Sequence, residues 1–122
     1  MITLRELDDH VSFAQQLGQD AGPIVLVNEF RVPAEQTKAF VEVWGEDAIF
    51  MKRQPGYISA QLHRGTAGST IFLNVAVWES VAALRAAFTS PEFQAALNRY
   101  PDDTVASPHI FTRVAVENVC LA

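Results

Sequence analysis

The sequence predicts an α+β domain of order β-α-β-β-α-β behind an N-terminal helix, and three observations carry that expectation. Short runs rich in β-branched and aromatic residues occur at 24–32, 57–64 and 70–80. Apolar residues recur at helical spacing after the first and the third of these runs. The two later runs are separated by "GTAG", the pattern of a hairpin with a longer loop. Two helices on one face of a four-stranded antiparallel sheet is the ferredoxin-like arrangement. A chain of 122 residues is read as an N-terminal helical extension over 1–22 and one folded domain over 23–122.

The elements follow in chain order. Leu4, Leu7, Val11, Ala14 and Leu17 are spaced as on an amphipathic helix, which "GQDAGP" ends. "IVLVNEFRV" reads as a strand stopped by Pro33, which has no amide donor. From 34 to 53 the chain becomes helical, with Phe40, Val43, Trp44, Ala48 and Met51 as an apolar stripe among Glu, Lys and Asp; "QPGY" closes it. After the hairpin, Ser80 caps a second helix through Phe88, and Ser90 with Pro91 restarts it. The turn-rich stretch 100–108 leads into a last strand at roughly 109–119. An open sheet covered on one side by helices leaves the other side bare, and Leu73, Val75 and Val77 make that side aliphatic. Pairing two such sheets across a two-fold axis buries both, so a homodimer is expected.

Composition excludes several function classes. A formal net charge of −5 with dispersed Lys and Arg offers no basic face for nucleic acid. The single cysteine, Cys120, cannot form an internal disulfide and reads as a small apolar residue. The first twenty residues lack the continuous apolar stretch of a signal peptide or membrane span, so no membrane partner and a cytoplasmic location are expected. His10 and His109 show no ligand spacing, and no metal site is expected.

The informative segment is "FLNVAVWES", 72–80. Alternation puts Phe72, Asn74, Ala76 and Trp78 on one face of a strand and Leu73, Val75 and Val77 on the other. A mid-strand amide costs about 1–3 kcal/mol if buried without a partner, so Asn74 needs a structural partner or a ligand. Asn28, between Leu26 and Phe30 on its own face, repeats the puzzle, and in this fold the two amides can simply bond each other. Odd positions of 57–64 are expected to pair with even positions of 70–78, because this sets Ser59, Gln61 and His63 beside Asn74 and leaves Ile58, Ala60 and Leu62 beside Leu73 and Val75.

In "PGYISAQLH", "FLNVAVWES" and "SPEF", in this order and spacing, the chain resembles the antibiotic-biosynthesis monooxygenase family of small dimeric α+β barrels, from about Ile24 to Val119. The resemblance implies a cavity between sheet and helices holding Asn74 and Trp78, with His63 at the end of the preceding strand. It also implies oxidation of an electron-rich anthrone, phenol or hydroquinone by molecular oxygen to a quinone, without flavin or metal. On that reading His63, with an ordinary pKa of about 6.5, is the base, and Asn74 and the Trp78 indole steady the oxyanion. The expected substrate-binding residues are Asn28, Phe40, Trp44, Phe72, Leu84 and Phe88, although Phe40 and Trp44 also read as core.

The chain departs from the family pattern at Leu84, where anthrone-oxidising relatives carry a tyrosine, and near Leu97, where they carry an arginine. These departures favour an alternative, a non-catalytic dimeric barrel that binds a small hydrophobic ligand or a partner. A haem-degrading branch shares Asn28 and Trp78, but its axial histidine is absent where Leu97 stands, which leaves iron without a protein ligand. Isomerisation of a small metabolite is the remaining option.

Overall fold

The computed structural model describes residues 2–122. The segments expected to be strands form β2 (Ile24–Arg31), β3 (Tyr57–Arg64), β4 (Ile71–Trp78) and β5 (Val105–Phe111), preceded by a two-residue strand β1 (Thr3–Leu4). Helix α1 is Phe13–Leu17 and α2 is Thr37–Lys52; the second covering helix is split into α3 (Val81–Phe88) and α4 (Pro91–Ala96). The side chains of Ser80 and Ser90 accept the amide hydrogens of Ala83 and Phe93, and Pro91 opens α4, as the capping residues imply. Gly56, at a φ of 87°, turns the chain from α2 into β3.

The sheet order is β1-β5-β2-β4-β3, with every pair antiparallel except β1 with β5. The ferredoxin-like α+β architecture is therefore present with a five-stranded mixed sheet rather than the expected four antiparallel strands. The fifth strand comes from the N-terminal segment, of which only Phe13–Leu17 is helical where a helix over 4–17 was expected. Its helical spacing is outweighed by what β5 offers, an edge of unpaired backbone groups. Thr3 donates to the Thr104 carbonyl at 2.9 Å and Arg5 to that of Ala106 at 2.8 Å. Further along the same edge the Gln16 side chain substitutes for a strand, accepting from the Ile110 amide at 2.8 Å and donating to its carbonyl at 2.9 Å. Between these two points the amide position on the edge belongs to Pro108, which has no hydrogen to satisfy. β5 also begins four residues earlier than expected, because Val105–Pro108 pairs with β2 despite its turn-like composition.

The inner face of the sheet carries two apolar clusters. Ile24, Leu26, Ala76 and Trp78 join Phe13, Leu17, Val81 and Leu84 at one end. Phe30, Phe72 and Ala106 join Ile2, Phe40, Leu97 and Tyr100 at the other. Asn28 and Asn74, directly opposite each other in the β2–β4 ladder, stand at the seam between the two clusters.

The hairpin takes the opposite parity from the one expected: Leu62 faces Asn74, Ala60 faces Ala76, and His63 faces Leu73. Polar pairing with Asn74 does not set this register. β3 is an edge strand with one solvated face, so Ser59, Gln61 and His63 point outward while Ala60 and Leu62 point in. A bulge between Tyr57 and Ser59 then brings Tyr57 opposite Trp78.

The Gln16 contact carries a specific expectation. Gln16→Ala strips the Ile110 amide and carbonyl of their partners and is expected to lower stability by about 1–3 kcal/mol. Denaturant melts and hydrogen exchange should show this loss together with faster exchange at the Ile110 amide; exchange at Ile110 unchanged from wild type would mean that the edge is held by something else.

Candidate active site

The seam opens into a cavity of about 80 Å³ between the sheet and the helices. Asn28 and Asn74 form its floor, Trp78 and Tyr57 one end, and Trp44, Asp47, Ala48 and Met51 of α2 its roof, with Leu84 and Phe88 of α3 beside them. Ile2, Leu4 and Phe13 of the N-terminal segment also line it. The amides do not satisfy each other. The Oδ1 atoms of both Asn28 and Asn74 are buried and have no hydrogen-bond partner within the protein. Side chains directly opposite across an antiparallel ladder lie about 4.5–5.5 Å apart at Cβ, so the two amides present adjacent polar points in an otherwise apolar floor. Trp78, 1% exposed, is held edge-on against Tyr57 with ring centroids 5.5 Å apart.

The expected residues divide into two groups. Asn28, Trp44, Asn74, Trp78, Leu84 and Phe88 line the cavity. Phe40 and Phe72 do not: their rings meet at a tilt of 41° with centroids 4.9 Å apart in the apolar cluster beyond the seam, and neither is among the lining residues. His63 is displaced altogether, since it is exposed on the outer face of the sheet with its Nδ1 3.2 Å from the Leu73 carbonyl. The base expected at His63 is therefore not in the cavity, and the cause is the one-residue difference in hairpin parity.

What the cavity contains instead is Asp47. It follows Trp44 by three residues and precedes Met51 by four, so it sits within the apolar stripe of α2 and not among its solvated acids. That spacing was the available signal. Only 5% of Asp47 is exposed. Its Oδ1 lies 3.6 Å from the Arg99 guanidinium, which also pairs with Glu46 at 3.4 Å, and its Oδ2 is buried with no partner. Burial raises the Asp47 pKa from the ordinary carboxylate value, against the opposing pull of Tyr100 and Arg99. Burial and the neighbouring carboxylate push Tyr100 far above an ordinary phenol, so it stays protonated. Leu84 and Leu97 both line the cavity without any proton-handling group, yet Tyr100 lines it and Arg99 pairs with Asp47 from outside it. Among the described residues, no three His, Cys, Asp or Glu side chains are grouped to hold a metal ion, and no helix is long and apolar enough to cross a membrane.

The sheet thus sets two amides and an indole against an apolar cavity under the helices, the architecture of an α+β domain with an internal pocket, and comparison with known proteins identifies its family. A sequence profile of the antibiotic biosynthesis monooxygenase family matches residues 23–99, and the chain belongs to that family. Deoxynogalonate monooxygenase of Streptomyces nogalater is 37% identical over 79 residues, which is 62% of this chain; the chain spans 64% of that relative's length. Among solved structures, SnoaB, a cofactor-independent oxygenase from Streptomyces nogalater, superposes with a TM-score of 0.69 at 28% identity, covering 80% of this chain and 99% of that one. A monooxygenase candidate from Shewanella loihica PV-4 gives a TM-score of 0.65 at 32% identity, covering 81% of this chain and 100% of its own.

The raised Asp47 pKa has a measurable consequence. The folded state favours the protonated acid, so the ionised carboxylate destabilises the native protein above the folded pKa, and the effect disappears below the ordinary value of 3.8. Asp47→Asn, which resembles the neutral acid, is expected to raise stability at pH 7 by on the order of 1 kcal/mol. The gain should shrink as pH falls through the folded pKa. Thermal melts over a pH series check both parts; a variant less stable than wild type at pH 7 would show that the Arg99 pairing outweighs burial.

Proposed function

We propose that the protein is a cofactor-independent monooxygenase that oxidises a small electron-rich aromatic, of the anthrone, phenol or hydroquinone type, with molecular oxygen to a quinone. The observation that carries this reading is the pair of amide oxygens, Asn28 and Asn74, buried without partners in an apolar cavity that Trp78 also lines. Unpartnered polar atoms of this kind are costly in a core and useful against a ligand. The monooxygenase and oxygenase relatives support the same reading at the level of the reaction. An ionised anthrone is electron-rich enough to reduce oxygen directly, so the protein has to supply a dry pocket, a proton acceptor and polar groups directed at the oxygen substituents. Asn28 and Asn74 fill the last role, Trp78 walls the pocket and directs its indole toward the ring system, and Trp44, Leu84 and Phe88 hold the flat faces.

The cavity volume of about 80 Å³ is well below the roughly 300–1,000 Å³ of pockets that enclose larger ligands. A three-ring substrate therefore enters by displacing side chains. Trp44, Phe88 and Phe93 are half-buried at the helical wall and are the residues with room to turn outward. We infer also that a second copy covers the outer face of the sheet, where Val25, Val27, Leu73, Val75 and Val77 of the two central strands are only half-buried. Sedimentation at micromolar concentration should give a dimer; a monomer would contradict it.

Oxygen uptake with a hydroxylated anthrone tests the reaction. Asn74→Ala is expected to lower turnover ten-fold or more, about 1.4 kcal/mol, while leaving the fold intact. Unchanged turnover would return Asn74 to a structural role, and no oxygen uptake by the wild type would favour a barrel that only binds its ligand.

A further inference from the structure

We propose that Asp47 is the catalytic base of this site, removing the proton from an acidic C–H or O–H of the bound aromatic. The inference rests on the oxygenase reading above and adds to it the group that moves the proton. Among the described residues that line the cavity, only Asp47, Tyr57 and Tyr100 are titratable. A phenol hydroxyl is a proton donor rather than a base, and burial beside the carboxylate keeps that of Tyr100 protonated. His63 lies outside on the far face of the sheet, His10 is exposed on the N-terminal segment, and His109 is engaged with Gln16 at the β5 edge, 3.1 Å between ring nitrogen and amide. Among the titratable groups of the described residues, Asp47 alone combines a place in the lining, burial and an oxygen with no hydrogen-bond partner.

Its geometry is that of a positioned base. Arg99 pairs with Oδ1 from outside the cavity and the Tyr100 hydroxyl acts on the carboxylate as a hydrogen-bond donor, while Oδ2 keeps no partner within hydrogen-bond distance. The groups facing Asp47 are Arg99, Tyr100 and, through Arg99, Glu46. α4, which also packs on α2, presents Phe93 to the cavity and carries Glu92 exposed; β3 presents Tyr57 and Ala60. Burial weakens the acid, which brings the carboxylate closer in basicity to the carbon acid it must deprotonate.

For a methylene substrate of the anthrone type the sequence balances as follows. The Asp47 carboxylate takes one methylene proton and leaves a delocalised carbanion. The carbanion passes one electron to molecular oxygen, and the resulting radical pair joins to form a C–O bond and a peroxide anion. Protonated Asp47 returns the proton to the terminal peroxide oxygen. The carboxylate then removes the second proton from the same carbon; the C–H electron pair forms the carbonyl while the O–O bond breaks. The departing hydroxide takes the proton back from Asp47. One anthrone and one oxygen molecule give one quinone and one water, and Asp47 ends as it began.

The test separates proton removal from oxygen chemistry. Anaerobically in D2O, the wild type is expected to catalyse deuterium exchange at the methylene of a hydroxylated anthrone, followed by proton NMR. Asp47→Asn should exchange at least 100-fold more slowly, and Asp47→Glu, which keeps the carboxylate, should recover part of the rate. Aerobically, Asp47→Asn should lose kcat by a similar factor, with KM changed less than three-fold and a residual rate that rises with pH as hydroxide takes over. Retention of the quinone product, read by absorbance titration, should be unaltered. Exchange by Asp47→Asn at the wild-type rate would overturn the proposal while leaving the oxygenase reading intact, provided that the wild type consumes oxygen. Asp47-dependent exchange without oxygen uptake would support the base and overturn the oxygenase reading. Absence of both exchange and uptake in the wild type would overturn both.

Discussion

Two amides side by side in the middle of a sheet determine much of what surrounds them. Asn28 and Asn74 face each other across the β2–β4 ladder, Asn28 between Leu26 and Phe30 and Asn74 between Phe72 and Ala76 on the same face of the sheet. With their oxygens unpaired, they interrupt what would otherwise be one continuous core and split it into a cluster around Trp78 and a cluster around Phe40. Filling both positions with leucine would close the seam and remove two buried unsatisfied atoms. A sequence selected for stability alone has no reason to keep them.

The same logic extends to the roof. Asp47 places a carboxylate inside the apolar stripe of α2, where burial opposes its charge and Arg99 only partly compensates. Three costly polar groups converging on one small cavity is a pattern that cores avoid and sites require. The surrounding packing holds them: Trp78 is wedged against Tyr57, Phe40 is locked among Phe30, Phe72 and Tyr100, and the N-terminal segment closes the β5 edge while contributing Ile2, Leu4 and Phe13 to the cavity wall.

Much of this was legible in the sequence because it depends on local alternation and capping. The order of the main elements, the two serine caps and the shared face of Phe72, Asn74, Ala76 and Trp78 all follow from spacing within one segment. What was not legible depends on pairing between segments. The loop 65–70 permits either parity, and the edge position of β3 selects the one that sends His63 outward. The parallel addition of Thr3–Leu4 to β5 is a long-range contact that the helical spacing of the first segment conceals. The last strand starts at Val105 because β2 needs a partner there, whatever the turn-forming character of the residues before it. Asp47 was visible in principle, three residues after Trp44 and four before Met51, but an acidic residue on a helix is most readily assigned to solvent.

The central claim is that Asn28 and Asn74 lack partners because a planar aromatic supplies them. The most direct measurement follows their side-chain NH2 resonances by NMR during titration with a hydroxylated anthraquinone, the product class of the proposed reaction. The account predicts that both side chains shift together and saturate at the same ligand concentration, with the Trp78 indole resonance moving alongside them and Val25, Val27 and His63 on the outer face unaffected. Shifts confined to the outer face, or amide resonances that stay in place while the ligand binds, would contradict it.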